Sequence, residues 1–176
     1  DTSLTIDLGD DGAGSSPVVL SGAHIDVPEG RTLTVTSNDV ATDHVLDVTG
    51  ATFSFEDSDS DAANDGDIVV EEGTTLRLTA AQLDGKTITG AGNLIIADLD
   101  ATPGADLSGV AGSLNVTAEV DANADISTNT NITNAEVDTY EVADGAELML
   151  TAAQANGVDV TASGTNTTGT TKVTDL

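Results

Sequence analysis

The sequence predicts an all-β chain, and within that class a β-solenoid: short strands laid down as stacked, parallel β-helix-like coils with one-turn helical insertions. Three observations point there. Aliphatic and polar residues alternate in short runs, and clusters of Gly, Asp, Asn and Ser break the runs at intervals of about 8–12 residues, the cadence of a chain that turns repeatedly. A pattern of Val-x-acidic-Gly-x-x-Leu-x-apolar-Thr recurs at 27–36, 70–79 and 142–151, and internal repetition is the mark of repeat architecture. Aromatic residues make up only 2% of the chain. An immunoglobulin-like β-sandwich, the alternative, usually packs around a large buried ring.

The elements follow in order. Alternation of Leu4, Ile6 and Leu8 predicts a strand over 3–8, and shorter ones follow over 17–20 and 23–27. The first repeat, VPEGRTLTVT, couples an acidic-Gly turn to a strand in which Leu33 and Val35 face inward and Thr34 outward. After SNDVATDH come strands over 44–49, 51–55 (ATFSF) and 67–70. The second repeat, VEEGTTLRLT, turns Leu76 and Leu78 inward and Arg77 outward. Its Thr79 is placed to cap one helical turn over Ala-Ala-Gln, which Gly85 ends. Further strands fall near Ile88 and over 93–97 (NLIIA), 113–120 (SLNVTAEV) and 137–142. The third repeat, VADGAELMLT, turns Leu148 and Leu150 inward and Met149 outward. LTAAQ, first met at 78–82, then recurs at 150–154, with Thr151 as cap, Gly157 as stop and a strand around Val160. The three glycines, Gly30, Gly73 and Gly145, are thus expected to open equivalent extended segments whose aliphatic side chains share one slender interior. The chain reads as a single elongated β-rich domain over 1–176, with divergent repeats at about 27–60, 70–112 and 142–176.

Charge narrows the function. Acidic residues number 31 against 4 basic ones, for a net charge of -27. Binding nucleic acid or an anionic membrane surface needs clustered Lys and Arg, and Arg31, Arg77, Lys86 and Lys172 are scattered. No apolar run reaches the roughly 18 residues of a spanning helix. Without cysteine there is no disulfide framework and no Cys-based zinc site. The acidic start at Asp1 lacks the pattern of a secretion leader, so the chain reads as a mature or excised piece. Absent Cys, scarce Lys and abundant Asp, Thr and Gly suit a secreted protein of the extracellular space or cell surface.

The phrase LTAAQLDGKTITGAGNLIIADL, echoed by LTAAQANGVDVTASG, resembles repeats of very large secreted bacterial surface proteins, adhesin-like, calcium-associated or surface-layer-like. The likeness covers 70–112 and 142–176. It implies export, a β-rich repeat fold and a place in adhesion, matrix or coat, and it implies no enzyme.

Candidate sites are acidic. In EDSDSDAANDGD, residues 56–67, Asp57, Asp59, Asp61, Asp65 and Asp67 crowd one segment. Calcium, a hard cation, takes six to eight oxygens from such a loop, and it would offset the mutual repulsion of these carboxylates. The pattern departs from an EF-hand at Ala62, where Gly makes the sharp turn, and at Ile68, where Glu closes the site. The other reading is a solvated acidic loop. Asp7, Asp10 and Asp11 form a second candidate, with carbonyls near Gly9 and Gly12 as further ligands, and Asp98 with Asp100 a third. His24 and His44, the two histidines, show no zinc-hydrolase spacing and are expected at the surface, on or beside strands. No phosphate loop and no nucleophile elbow is present, so no catalytic residue and no organic cofactor is assigned. The terminal strands, opening at Leu4 and closing in TTKVTDL with Val173 and Leu176, are free to pair with another copy or with adjoining repeats of a longer chain. The alternative function is an adhesin-type module for a surface or glycan, which would want an exposed aromatic cluster from Phe53, Phe55 and Tyr140.

Overall fold

A computed structural model describes residues 4–9, 17–27, 31–37, 44–55, 67–110, 113–133, 136–163 and 168–175, without the side chains of 54 and 55. Among these residues the chain is all-β. Strands run over β1 Leu4–Asp7, β2 Val18–Val19, β3 His24–Val27, β4 Thr32–Thr36, β5 His44–Asp47, β6 Thr52–Phe55, β7 Asp67–Val70 and β8 Thr74–Thr79. After a short helix, α1 (Ala80–Leu83), come β9 Ile88–Gly90, β10 Asn93–Ala97 and a 3-10 turn at Leu99–Ala101. The remainder are β11 Asn115–Val120, β12 Ala124–Asp125, β13 Thr139–Ala143, β14 Glu147–Thr151, β15 Asp159–Ser163 and β16 Thr170–Thr174.

Four sheets result: β1-β4-β7-β9, β15-β13-β11-β10-β8-β5-β2, β12-β14-β16 and β3-β6. Every pairing between these strands is parallel. Parallel neighbours cannot be joined by a hairpin, so the chain must travel before it returns. Here it travels through one or two of the other sheets. After leaving Ile68 it comes back beside it at Ile88, and after leaving Ala118 it comes back at Tyr140. The return from Leu33 to Ile68 is longer, because it includes the acidic segment between β6 and β7.

The interior is built from aligned aliphatic rows. In the seven-stranded sheet one row reads Val18, Leu46, Leu76, Leu94, Val116. The adjacent inward row reads Leu78, Ile96, Ala118, Tyr140, Val160. Small Ala118 sits beside bulky Tyr140, which balances volume within the row. Leu33, Val35, Leu76, Leu78, Leu148 and Leu150 are buried in one core cluster, while Thr34, Arg77 and Met149 point outward, half-buried, as their alternation predicts.

The repeats behave in a way their sequence did not foretell. The first copy leads from β3 in the two-stranded sheet to β4 in the four-stranded one. The second leads from β7 in that sheet to β8 in the seven-stranded one, and the third from β13 there to β14 in the three-stranded one. Each copy carries the chain from one sheet to another, and each joins a different pair. The copies share an interior, and successive copies share a sheet, but the strands that follow their glycines, β4, β8 and β14, lie in three different sheets, which corrects the expectation of equivalent positions. What the repeat encodes is local. Gly73 and Gly145 sit at φ 79° and 84°, left-handed backbone that glycine adopts without strain. Gly30 lies outside the described residues.

One smaller expectation is corrected in part and one in full. Thr79 caps α1 in a full capping box with Gln82. Thr151 caps the second Ala-Ala-Gln stretch with the same pair of bonds, its Oγ1 accepting the Gln154 N–H at 3.1 Å and its own N–H donating to Gln154 Oε1 at 2.8 Å, but that stretch, 152–157, forms turns rather than a helix. Leu83 is buried and pins α1 to the core, whereas its counterpart Ala155 is smaller and half-buried. His44 is buried, not at the surface. It falls in the same alternation phase as Leu46, and it pairs in register with Thr74, itself buried. His24 is exposed, as expected.

Candidate functional site

Much of the chain's polar chemistry is committed to its turns. Three bends share an Asp-apolar-Ser/Thr motif: Asp47-Val48-Thr49, Asp106-Leu107-Ser108 and Asp125-Ile126-Ser127. In each, the Asp Oδ1 accepts the N–H of the motif's Ser or Thr at 3.0 Å and the same residue's hydroxyl at 2.6–2.7 Å. The middle residue is buried in all three. The hydroxyl and N–H of Ser108 hold the Asp106 carboxyl below its ordinary range, and those of Ser127 do the same for Asp125. For Asp47, burial pushes the pKa up, but Thr49 and the nearby Arg77 together outweigh it and leave the value lowered.

Side-chain amides then lock these bends to the next pass of the chain. The Gln82 Nε2 donates to the carbonyls of Val48 and Ala51, both at 2.8 Å. Gln154, buried, donates to Ile126 and Asn129 at 2.9 Å and to Ile132 at 3.0 Å, while its Oε1 accepts the Thr151 N–H at 2.8 Å. Asn129 in turn donates to Pro103 at 2.9 Å and Ala105 at 2.8 Å. The Gln of LTAAQ is thus a clamp on turn carbonyls. Its recurrence was a sequence signal for this network; the Asp-apolar-Ser/Thr motif was a weaker one, since it also occurs at 100–102 and, within β15, at 159–161.

The acidic candidates are only partly placed. Asp57, Asp59, Asp61 and Asp65 lie outside the described residues, as do Asp10 and Asp11. Asp67 opens β7 with an exposed side chain, and its N–H donates to the Arg31 carbonyl at 3.1 Å. Asp7 accepts the Gly9 N–H at 2.9 Å, and the Gly9 carbonyl accepts the Ser37 hydroxyl at 3.0 Å. Asp98 has left-handed backbone, φ 55°, and Asp100 accepts the Asp121 N–H at 3.0 Å. Among the described residues no three His, Asp or Glu side chains gather into a metal-sized group. Arg77 bridges Glu119 at 2.6 Å and Asp47 at 3.2 Å, which raises its pKa, the Glu119 hydrogen bond contributing most.

A depression of about 530 Å³ lies over the Gln154 clamp between Thr130, Thr133, Thr151 and Ala153. Hydroxyl and amide groups line it, with no carboxylate or imidazole, so it offers hydrogen bonds and no acid–base pair.

The remaining unusual surface is at the strand edges. Among the described residues β1, β2 and β3 at one end pair only inward, with β4, β5 and β6. At the other end β15 pairs only with β13 and β16 only with β14. The exposed large hydrophobic residues of the described chain are Leu4 (47% exposed), Val18 (43%), Val19 (60%) and Val160 (41%), and all four sit on these edge strands. An edge strand carries unpaired N–H and C=O groups, and apolar side chains beside them make it adhesive. Against family models, curated proteins and solved structures, the chain has no match.

Proposed function

We propose that this chain is a β-solenoid whose coils are single passes through the successive sheets, and that it serves as an extracellular structural protein. In this reading it is a self-associating β-rich subunit or repeat module of a filament, matrix or surface layer, stabilised by calcium. Its partners are copies of itself, or adjoining repeats of a longer chain, joined through the terminal strands.

The observation that carries the reading is the confinement of exposed large aliphatic side chains, among the described residues, to strands that end the ladders, at both ends. A stack of coils buries its inner faces only against neighbours, so its terminal coils are where association occurs. The rotation of the chain through the sheets, returning from Ile68 to Ile88 and from Ala118 to Tyr140, supports the coil description. Aspartates that cap turns serve the scaffold, which suits a structural role. The adhesin reading loses its one tyrosine to the core, since Tyr140 is buried.

Negative-stain microscopy and sedimentation of the purified chain, with calcium or with a chelator, test this. Ordered fibres or ladders of oligomers are expected in calcium. Monomers under every condition would overturn the assembly role.

A further inference from the structure

The geometry points to a specific polarity for the contact between copies: the edge of β15 that is unpaired among the described residues joins the corresponding unpaired edge of β2 in the next copy, parallel and head-to-tail. This rests on the self-assembly reading above and goes beyond it in naming the partner strands and the symmetry. The two edges bound the same seven-stranded sheet. Its inner rows are open at opposite ends: one begins at Val18 and the neighbouring one finishes at Val160, with the two residues 43% and 41% exposed. The Val18 row stops at Val116 in β11, where exposed Asp138 comes next in register, and the row that reaches β15 is the one ending at Val160. A second copy placed after β15 extends that row and covers Val160 and Val18 at the junction.

Backbone donors agree. In a parallel ladder successive N–H groups turn to alternate sides. Leu20 donates inward to the Asp47 carbonyl at 2.9 Å, so the Val19 N–H faces the open side of β2. Asp159 donates inward to the Asp138 carbonyl at 2.9 Å, so the Val160 N–H faces the open side of β15. Each edge therefore presents donors and acceptors to a parallel neighbour.

Like ends do not fit. Two β2 edges, or two β15 edges, would meet either antiparallel or with inner and outer faces exchanged, and either arrangement breaks the continuity of the apolar rows. A contact between unlike ends does not close on itself, so it propagates as an open filament rather than stopping at a dimer.

Two variants that block one edge each test the polarity. Val19→Pro removes the outward donor of β2, and Val160→Pro that of β15, while the inward hydrogen bonds of both strands stay. Val19→Lys and Val160→Lys place a charge on the same edges and serve if a proline variant loses its circular-dichroism spectrum. Sedimentation is run at the ionic strength at which the unmodified chain assembles. The expected result is that each folded variant alone stays monomeric, and that an equimolar mixture gives a 1:1 dimer with twice the monomer mass and nothing longer. If either variant alone still dimerises, like ends or lateral faces associate, and the polarity is overturned while self-assembly stands. A mixture of folded variants that stays monomeric also overturns the β15–β2 pairing. An unmodified chain that never associates removes the assembly reading itself.

Discussion

One amide, that of Gln154, ties three turn carbonyls to the pass that follows them. A buried polar group left without its partner costs about 1–3 kcal/mol, so Gln154→Leu is expected to lower unfolding free energy by roughly that amount, read from the urea midpoint at unchanged slope. Tyr140 is the opposite case. Its ring fills the core, but its hydroxyl is buried without a hydrogen-bond partner among the described residues. Tyr140→Phe removes that desolvated hydroxyl and should be neutral or stabilising by up to about 1 kcal/mol, whereas Tyr140→Ala opens a cavity and should cost about 3–5 kcal/mol. Burial, with a smaller push from Glu136, holds the phenol above its ordinary range. The sign follows: the folded state keeps the proton longer than the unfolded state. The contribution is therefore intact below the ordinary phenol pKa of about 10 and declines as pH rises above it. Because this is the only tyrosine, phenolate absorbance should appear with alkaline unfolding rather than before it. A free titration in the folded protein, at the ordinary phenol pKa, would contradict the burial argument.

At the scale of elements, the bend between β13 and β14 isolates what glycine contributes. Gly145 has φ 84°, and a Cβ built there meets nothing within 4 Å. Gly145→Ala therefore adds no clash, only left-handed strain, and should destabilise by about 1–2 kcal/mol; thermal or urea unfolding checks this. Gly145→Asn should lose less, since Asn tolerates that backbone better. This bend also shows what the sequence could and could not say. Alternation of period two made the strands legible, and NLIIA at 93–97 is β10 to the residue. The inward pairs of all three repeats were legible for the same reason. Which sheet each strand joins was not, because a turn motif fixes the geometry of a bend and carries no information about the register of the pass above it. Likewise β12, only Ala124–Asp125, is too short to alternate. Burial of His44 follows from its phase with Leu46, a signal that was present and was outweighed by the polarity of the imidazole, since histidine is intermediate in its tendency to be buried. The acidic composition concealed the turn network: Asp47, Asp106 and Asp125 are three of 31 acidic residues, and nothing in the composition marks which of them cap turns.

For the whole molecule, the governing tension is between those capping roles and a net charge of -27. Caps recur from pass to pass: Asp84 accepts the Asp106 N–H at 2.7 Å, and Asp144 the Thr168 N–H at 3.1 Å. Parallel passes that repeat a carboxylate at each bend also bring like charges together, and such self-repulsion destabilises a compact state. Salt shortens the reach of that repulsion from about 10 Å at 0.1 M to about 3 Å at 1 M, so the urea midpoint should rise with sodium chloride. The segment with Asp57, Asp59, Asp61, Asp65 and Asp67 adds a separable effect if it takes calcium as proposed. A ligand at a hundredfold excess over its Kd stabilises by about 2.7 kcal/mol, far more than its ionic strength alone would supply. Calcium should therefore raise the midpoint beyond sodium or magnesium at matched ionic strength. The double substitution Asp59→Asn with Asp61→Asn should remove the calcium-specific gain and leave the gain from sodium unchanged. Equal responses to all three cations would make the segment a solvated loop and leave screening as the whole of the salt effect.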